Sequence, residues 1–127
     1  MVNVRLWDIT GKLVLTQQQQ LPAGVRVTIV GFSQGGATVS RWLASGAAPV
    51  HRLILWAASF PEDIDFTTGQ AAFENLPVAI VYGTQDQFIT PESLQKKQQL
   101  MAGLGLQPKL YTFDGGHTLD EETLLKV

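Results

Sequence analysis

The sequence predicts an α/β fold in which a parallel sheet is flanked by helices, and three observations carry that prediction. Largely apolar runs of strand length, Val25–Val30, Arg52–Ala57, Val78–Tyr82 and Lys109–Phe113, recur along the chain, separated by stretches long enough to hold a helix. Helix start and stop signals fall inside those separating stretches. A serine, an aspartate and a histidine each follow one of the runs closely, and a parallel sheet collects its reactive groups at the carboxyl ends of its strands.

Taken in order, Val25–Val30 is the first strand of the sheet, and the following Gln34–Ser45 has helical character. Gly46 stops that helix and Pro49 punctuates the chain beyond it. Arg52–Ala57 is the second strand. Ser59–Asn75 reads as a loop with a short helical turn near Gln70–Phe73, and Val78–Tyr82 is the third strand. Thr90 is a good N-cap, and Pro91 suits the first helical position because its missing N–H has no partner to lose there. That helix is expected to run to about Ala102, Lys109–Phe113 to form the fourth strand, and Leu119–Lys126 a terminal helix. Strands alternating with helices imply a parallel sheet with right-handed crossovers. The first 24 residues allow two readings. Val2–Trp7 and Lys12–Thr16 flank Asp8–Gly11 as the arms of a β-hairpin would, whereas Gln17–Gln20 are good helix formers.

The densest chemical signal is Gly31-Phe32-Ser33-Gln34-Gly35, directly after the first strand. In a G-x-S-x-G nucleophile elbow the serine occupies a sharp, strained strand-to-helix turn that exposes its hydroxyl, and small flanking residues let the chain turn tightly. The bland alternative is a glycine-rich turn with no chemistry. A serine nucleophile also needs a base to take its proton and a carboxylate to orient that base. Asp86, in Tyr82-Gly83-Thr84-Gln85-Asp86, and His117, in Asp114-Gly115-Gly116-His117, supply both types, each just past a strand. The order Ser33, Asp86, His117 is that of the α/β-hydrolases. Asp114 is the nearer carboxylate in sequence, but an orienting acid approaches from a different strand end, which favours Asp86.

Residues 25–127 resemble the second half of the phospholipase/carboxylesterase family of α/β-hydrolases, which includes acyl-protein thioesterases. The resemblance rests on Gly31-Phe32-Ser33-Gln34-Gly35-Gly36-Ala37, on Leu76–Asp86 and on Gly115-Gly116-His117. It implies a truncated α/β-hydrolase fold with Ser33 as nucleophile, His117 as general base and Asp86 as orienting acid. The backbone N–H of Gln34 becomes one oxyanion-hole donor. The family's usual second donor lies in an HG-type loop before the elbow, and nothing before Val25 matches it, since the two histidines are His51 and His117. The expectation is therefore a single domain over residues 1–127, the C-terminal part of such a hydrolase, with a helix over about Thr10–Gln20 where the family places one.

Composition bounds the rest. The 127 residues are 45% hydrophobic and 16% charged, as in a globular chain. A net charge of −2 gives no electrostatic footprint for nucleic acid. No apolar run is long enough to span a membrane, no signal-peptide pattern opens the chain, and the whole is compatible with a cytoplasmic protein. With no cysteine there is no disulfide, thiol nucleophile or cysteine-based zinc site. His51 reads as a surface residue and Trp42 and Trp56 as packing aromatics. Glu62, Asp63 and Asp65 read as a solvated face, because no glycine-centred calcium loop surrounds them. Phe32, Phe60, Pro61, Phe88 and Ile89 are placed to form an apolar substrate pocket. The function expected is hydrolysis of a small ester or thioester through an acyl-serine, without metal or organic cofactor. A catalytically silent module is the alternative, and a peptidase of the same fold a weaker one. An unpaired edge at Val25–Val30 would invite self-association into a homo-oligomer.

Overall fold

In the computed structural model, residues 2–7, 13–19, 28–45, 50–58, 60–63 and 73–127 are described. Two strands, β1 (Val2–Trp7) and β2 (Leu13–Gln19), pair antiparallel as a separate sheet, with Val2 opposite Gln19 and Trp7 opposite Leu13. This corrects the helix expected over Thr10–Gln20. The glutamines favour a helix only weakly, and pairing with the alternating Val2-Asn3-Val4-Arg5 arm outweighs that preference.

The second sheet holds β3 (Thr28–Phe32), β4 (Arg52–Trp56), β5 (Val78–Gly83) and β6 (Lys109–Phe113), parallel and in sequential order. Among the described residues three helices accompany it: α1 (Gly35–Ala44), α2 (Pro91–Gly103) and α3 (Glu121–Lys126). The element types and order after residue 25 are those read from the sequence. The start of the first expected strand lies outside the described residues, as does the helical turn expected near Gln70–Phe73 except for its last residue, Phe73, which is helical.

The two central strands are buried on both faces, which is why their sequences read as continuous apolar runs. Leu53, Leu55, Val78 and Ile80 point to one face and join Leu43 of α1 and Met101 of α2, with Phe60, Phe73 and Leu106 closing the layer. Ile54, Trp56, Ala79 and Val81 point to the other, against Phe32, Tyr111, Phe113 and the terminal Val127. Each fully buried aliphatic side chain of this kind contributes about 1.5–3 kcal/mol. Strands β3 and β6 are the edges of this sheet among the described residues, and Val30 and Leu110 are each 43% exposed.

Helix α2 is closed at both ends by its sequence. The Thr90 hydroxyl accepts from the Ser93 N–H at 3.1 Å, and the Ser93 hydroxyl accepts from the Thr90 N–H at 3.0 Å, a reciprocal capping box. At the other end Gly105 adopts φ 78, so that its N–H reaches Ala102 O and the Leu106 N–H reaches Met101 O. This is a Schellman closure, and Leu106 and Met101 meet in the core as such closures require. Helix α3 is capped by Asp120, whose carboxylate accepts from the Thr123 hydroxyl and N–H. Those bonds hold its carboxyl below the ordinary aspartate range.

Candidate active site

Three strand ends deliver the site. Just past β3, Ser33 takes φ 56, a left-handed conformation that an L residue adopts only when its surroundings impose it. The imposition is visible on both sides. The Ser33 N–H donates to Trp56 O at 3.0 Å, and Ser33 O accepts from the Gly36 N–H at 3.1 Å as α1 begins. Gly31 makes the reversal possible, because a Cβ there would lie 2.7 Å from both Gly36 Cα and Val39 Cγ2. Gly35 is different, since a Cβ there meets nothing within 4 Å. The two flanking glycines of the motif are therefore not equivalent.

The loops after β5 and β6 are tied to each other. Thr84 N–H donates to Phe113 O at 2.9 Å and Gln85 N–H to Gly115 O at 2.8 Å, while the Gln85 side-chain amide donates to Asp114 Oδ1 at 3.0 Å. Gly83 sits at their closest approach, where a Cβ would overlap Gly115 O and lie 2.5 Å from Gly116 O. This seam sets the acid beside the base. Asp86 Oδ2 lies 2.8 Å from His117 Nδ1, and Asp86 Oδ1 accepts from the Phe88 N–H at 2.9 Å. The Asp86 side chain is fully buried and that of His117 is 27% exposed. On the far side of the ring, His117 Nε2 is 3.0 Å from Ser33 Oγ. The sequence-predicted Ser33, Asp86 and His117 thus meet in one hydrogen-bonded line. Asp114, the rival carboxylate, turns to Gln85 instead.

Aromatic rings hold the imidazole. Phe32 packs at 5.2 Å between ring centroids and Phe88 edge-on at 4.9 Å. Trp56, fully buried, donates its indole N–H to Thr118 O at 2.9 Å and so anchors the chain immediately after His117.

A cleft of about 580 Å³ opens in front of Ser33 and His117. Gln34 lines it at the start of α1, where backbone N–H groups have no acceptor within the helix. Phe60, Phe88 and Ile89 line it as their positions suggested, together with Ala57 and Ala58. Phe32 does not belong to the lining. It was expected in the pocket, but it ends β3 on the opposite face of the sheet from Phe60 and spends its ring on His117. Glu62 and Asp63 are exposed and pair with Lys96 at 2.5 Å and Arg41 at 3.2 Å, while Asp65 lies outside the described residues. His51 is exposed.

Three features of the site were not anticipated. Ala57, just past β4, has φ 47, a second left-handed non-glycine residue beside the serine turn. Gly83 carries the seam. Lys97 of α2 is buried in the cleft wall, 7% exposed, and donates to Ala58 O. A signal for Lys97 was present, because Leu94, Lys97 and Met101 fall on one helical face by their spacing of three and four.

Residues 8–127 match the family model for phospholipase/carboxylesterase. The chain belongs to that family. A comparison with curated proteins returned no match. Among solved structures it is similar to acyl-protein thioesterase 2 of Zea mays, at 15% identity and a TM-score of 0.63, over 84% of this chain and 55% of that one. It is also similar to YahD in complex with malic acid, at 17% identity and a TM-score of 0.58, over 78% of this chain and 47% of that one. A ferulic acid esterase follows at 16% identity and a TM-score of 0.51, over 72% and 45% of the two chains. The chain therefore has a truncated α/β-hydrolase fold of the esterase family and spans about half the length of the first structures it matches. Among the described residues no helix is long and apolar enough to cross a membrane.

Proposed function

We propose that this chain, acting as a single domain, carries the nucleophile, base and acid of a serine esterase or thioesterase. One observation supports the reading above the others: the unbroken line Ser33 Oγ, His117 Nε2, His117 Nδ1, Asp86 Oδ2, at 3.0 and 2.8 Å, beside an open cleft. In the proposed reaction Ser33 Oγ attacks the acyl carbonyl carbon and His117 Nε2 takes its proton. The imidazolium that forms is stabilised by the buried Asp86 carboxylate, which stays ionised throughout. Negative charge gathers on the carbonyl oxygen, where the Gln34 N–H at the start of α1 would donate to it. Collapse of the tetrahedral adduct breaks the bond to the alcohol or thiol, and His117 returns the proton to that leaving group. Water then repeats the sequence on the acyl-serine and releases the acid. None of these steps calls on a metal or organic cofactor.

A fluorophosphonate probe tests the reading, because it reports an activated serine without requiring turnover. The chain should be labelled at Ser33, and Ser33→Ala should remove the label. With one oxyanion donor assigned, turnover of a p-nitrophenyl ester should fall short of a complete site by roughly 10²–10³ in kcat. Absence of labelling in the folded chain, or labelling that survives Ser33→Ala, would remove the serine-hydrolase reading and leave a silent module.

A further inference from the structure

Lys97 is a cation placed where the fold calls for an apolar residue. It shares the inward face of α2 with Leu94 and Met101, and Met101 is fully buried in the core. A charge in such a position is costly unless something compensates it. Its ammonium donates to Ala58 O, and among the described residues no carboxylate lies within ion-pair distance of it. An ammonium has three N–H donors, so one carbonyl leaves it with unused capacity.

The surroundings give that capacity a direction. Lys97 lines the same cleft as Ser33, Gln34 and His117, beside apolar Ala58, Phe60 and Ile89 and polar Ser93, Lys96 and Glu62. Glu62, the carboxylate on the cleft lining, is exposed and engaged by Lys96. Burial lowers the Lys97 pKa from the ordinary lysine value and Asp86 opposes this through space, but the Asp86 oxygens are committed to His117 and the Phe88 N–H. Among the described residues Lys97 is therefore the one buried lysine on the cleft lining, with no carboxylate paired to it, whereas Lys96 is exposed and held by Glu62.

We propose that Lys97 is a specificity-determining residue that pairs with a carboxylate on the substrate, so that the cleft prefers esters or thioesters bearing a free carboxylate in the acyl or alcohol part. This rests on the serine-hydrolase reading for the reacting bond, but not for the binding of the anion. A single ammonium with two remaining N–H donors matches a carboxylate. A phosphate dianion would need a second cation, and Lys96, the other ammonium on the lining, is exposed and held by Glu62.

The test compares monomethyl glutarate with dimethyl glutarate, which differ in one charge, by NMR titration of the full chain. The half-ester should bind about tenfold or more tightly, as expected for a charge-assisted hydrogen bond. Lys97→Gln retains a donor for Ala58 O but no charge, and should bring the two ligands to equal affinity. Lys97→Arg should restore part of the preference. Equal binding of both esters by the unaltered chain, or a preference that survives Lys97→Gln, would overturn the proposal and leave Lys97 as a tether for Ala58. Labelling of each variant by an uncharged fluorophosphonate keeps the two readings apart. A carboxylate preference without labelling would leave the anion site standing and remove the serine chemistry, whereas labelling without the preference would do the reverse.

Discussion

Ser33 is held by strain and close packing, with φ 56, one backbone bond on each side, and a strand and helix brought together across Gly31. Asp86 and His117 are held by cross-links. Their two loops share two backbone hydrogen bonds and the Gln85–Asp114 bond, and the indole of Trp56 fastens the exit at Thr118. The difference teaches where each half of the site is vulnerable. A strained turn depends on the volume available beneath it, since its cost is met by the packing that enforces it. A cross-linked pair of loops depends on register, because a small displacement separates the acid from the base that it orients.

The largest effect should come from removing charge from the cross-linked half without altering its shape. Asp86→Asn is nearly isosteric, yet an amide opposite Nδ1 no longer fixes the tautomer or stabilises the imidazolium, and the labelling rate of Ser33 should fall by about 10⁴-fold. The same change at Asp114 removes only an exposed contact with Gln85. Asp114→Asn should leave the rate within about twofold, the equivalent of the ~0.5 kcal/mol usual for surface substitutions. Reversal of the two outcomes would make Asp114 the acid and dissolve the comparison.

Next comes a change of shape in the same half. Gly83→Ala drives a methyl group into Gly115 O and Gly116 O, and these are backbone atoms that cannot swing aside. The loops must part, at an expected cost of about 1–3 kcal/mol in stability. Separation of His117 from Ser33 by about an ångström should slow labelling by about 10²-fold. A folded Gly83→Ala chain that labels at the unaltered rate would show that the seam does not set the acid–base geometry.

The sequence disclosed the sheet because its two central strands, β4 and β5, are buried on both faces and read as apolar runs between clear helix signals. Thr90-Pro91 marked the start of α2 to the residue, since capping is local chemistry. The convergence of Ser33, Asp86 and His117 was legible for the same reason, as each residue follows a strand in a parallel sheet. What stayed hidden depends on three-dimensional proximity. The β1–β2 hairpin competed with a family expectation, and the weak helical preference of Gln17–Gln19 could not decide between them. Phe32 was assigned to the pocket because it adjoins Ser33, but strand alternation turns it to the other face. Lys97 sits in a run of polar residues, and only its spacing from Leu94 and Met101 shows that it points inward.

The smallest effects, and the sharpest on the strained half, concern the two glycines that flank Ser33. The motif gives them equal weight, and the packing does not. A methyl group on Gly31 would stand 2.7 Å from Gly36 Cα and from Val39 Cγ2, so strand and helix must separate beneath the serine. Gly31→Ala should destabilise the fold by about 1–3 kcal/mol, the usual range for overpacking. A methyl group on Gly35 enters open space at the first turn of α1, where the backbone is helical and φ is negative. Replacing that glycine narrows the freedom of the unfolded chain and should stabilise the protein by about 0.4–1 kcal/mol. Urea titrations of the two variants should therefore move in opposite directions from the unaltered chain, with Gly35→Ala keeping its labelling rate. If both moved down together, the turn at Ser33 would need small residues on each side, and its strain could not be attributed to the strand–helix contact at Gly31 alone.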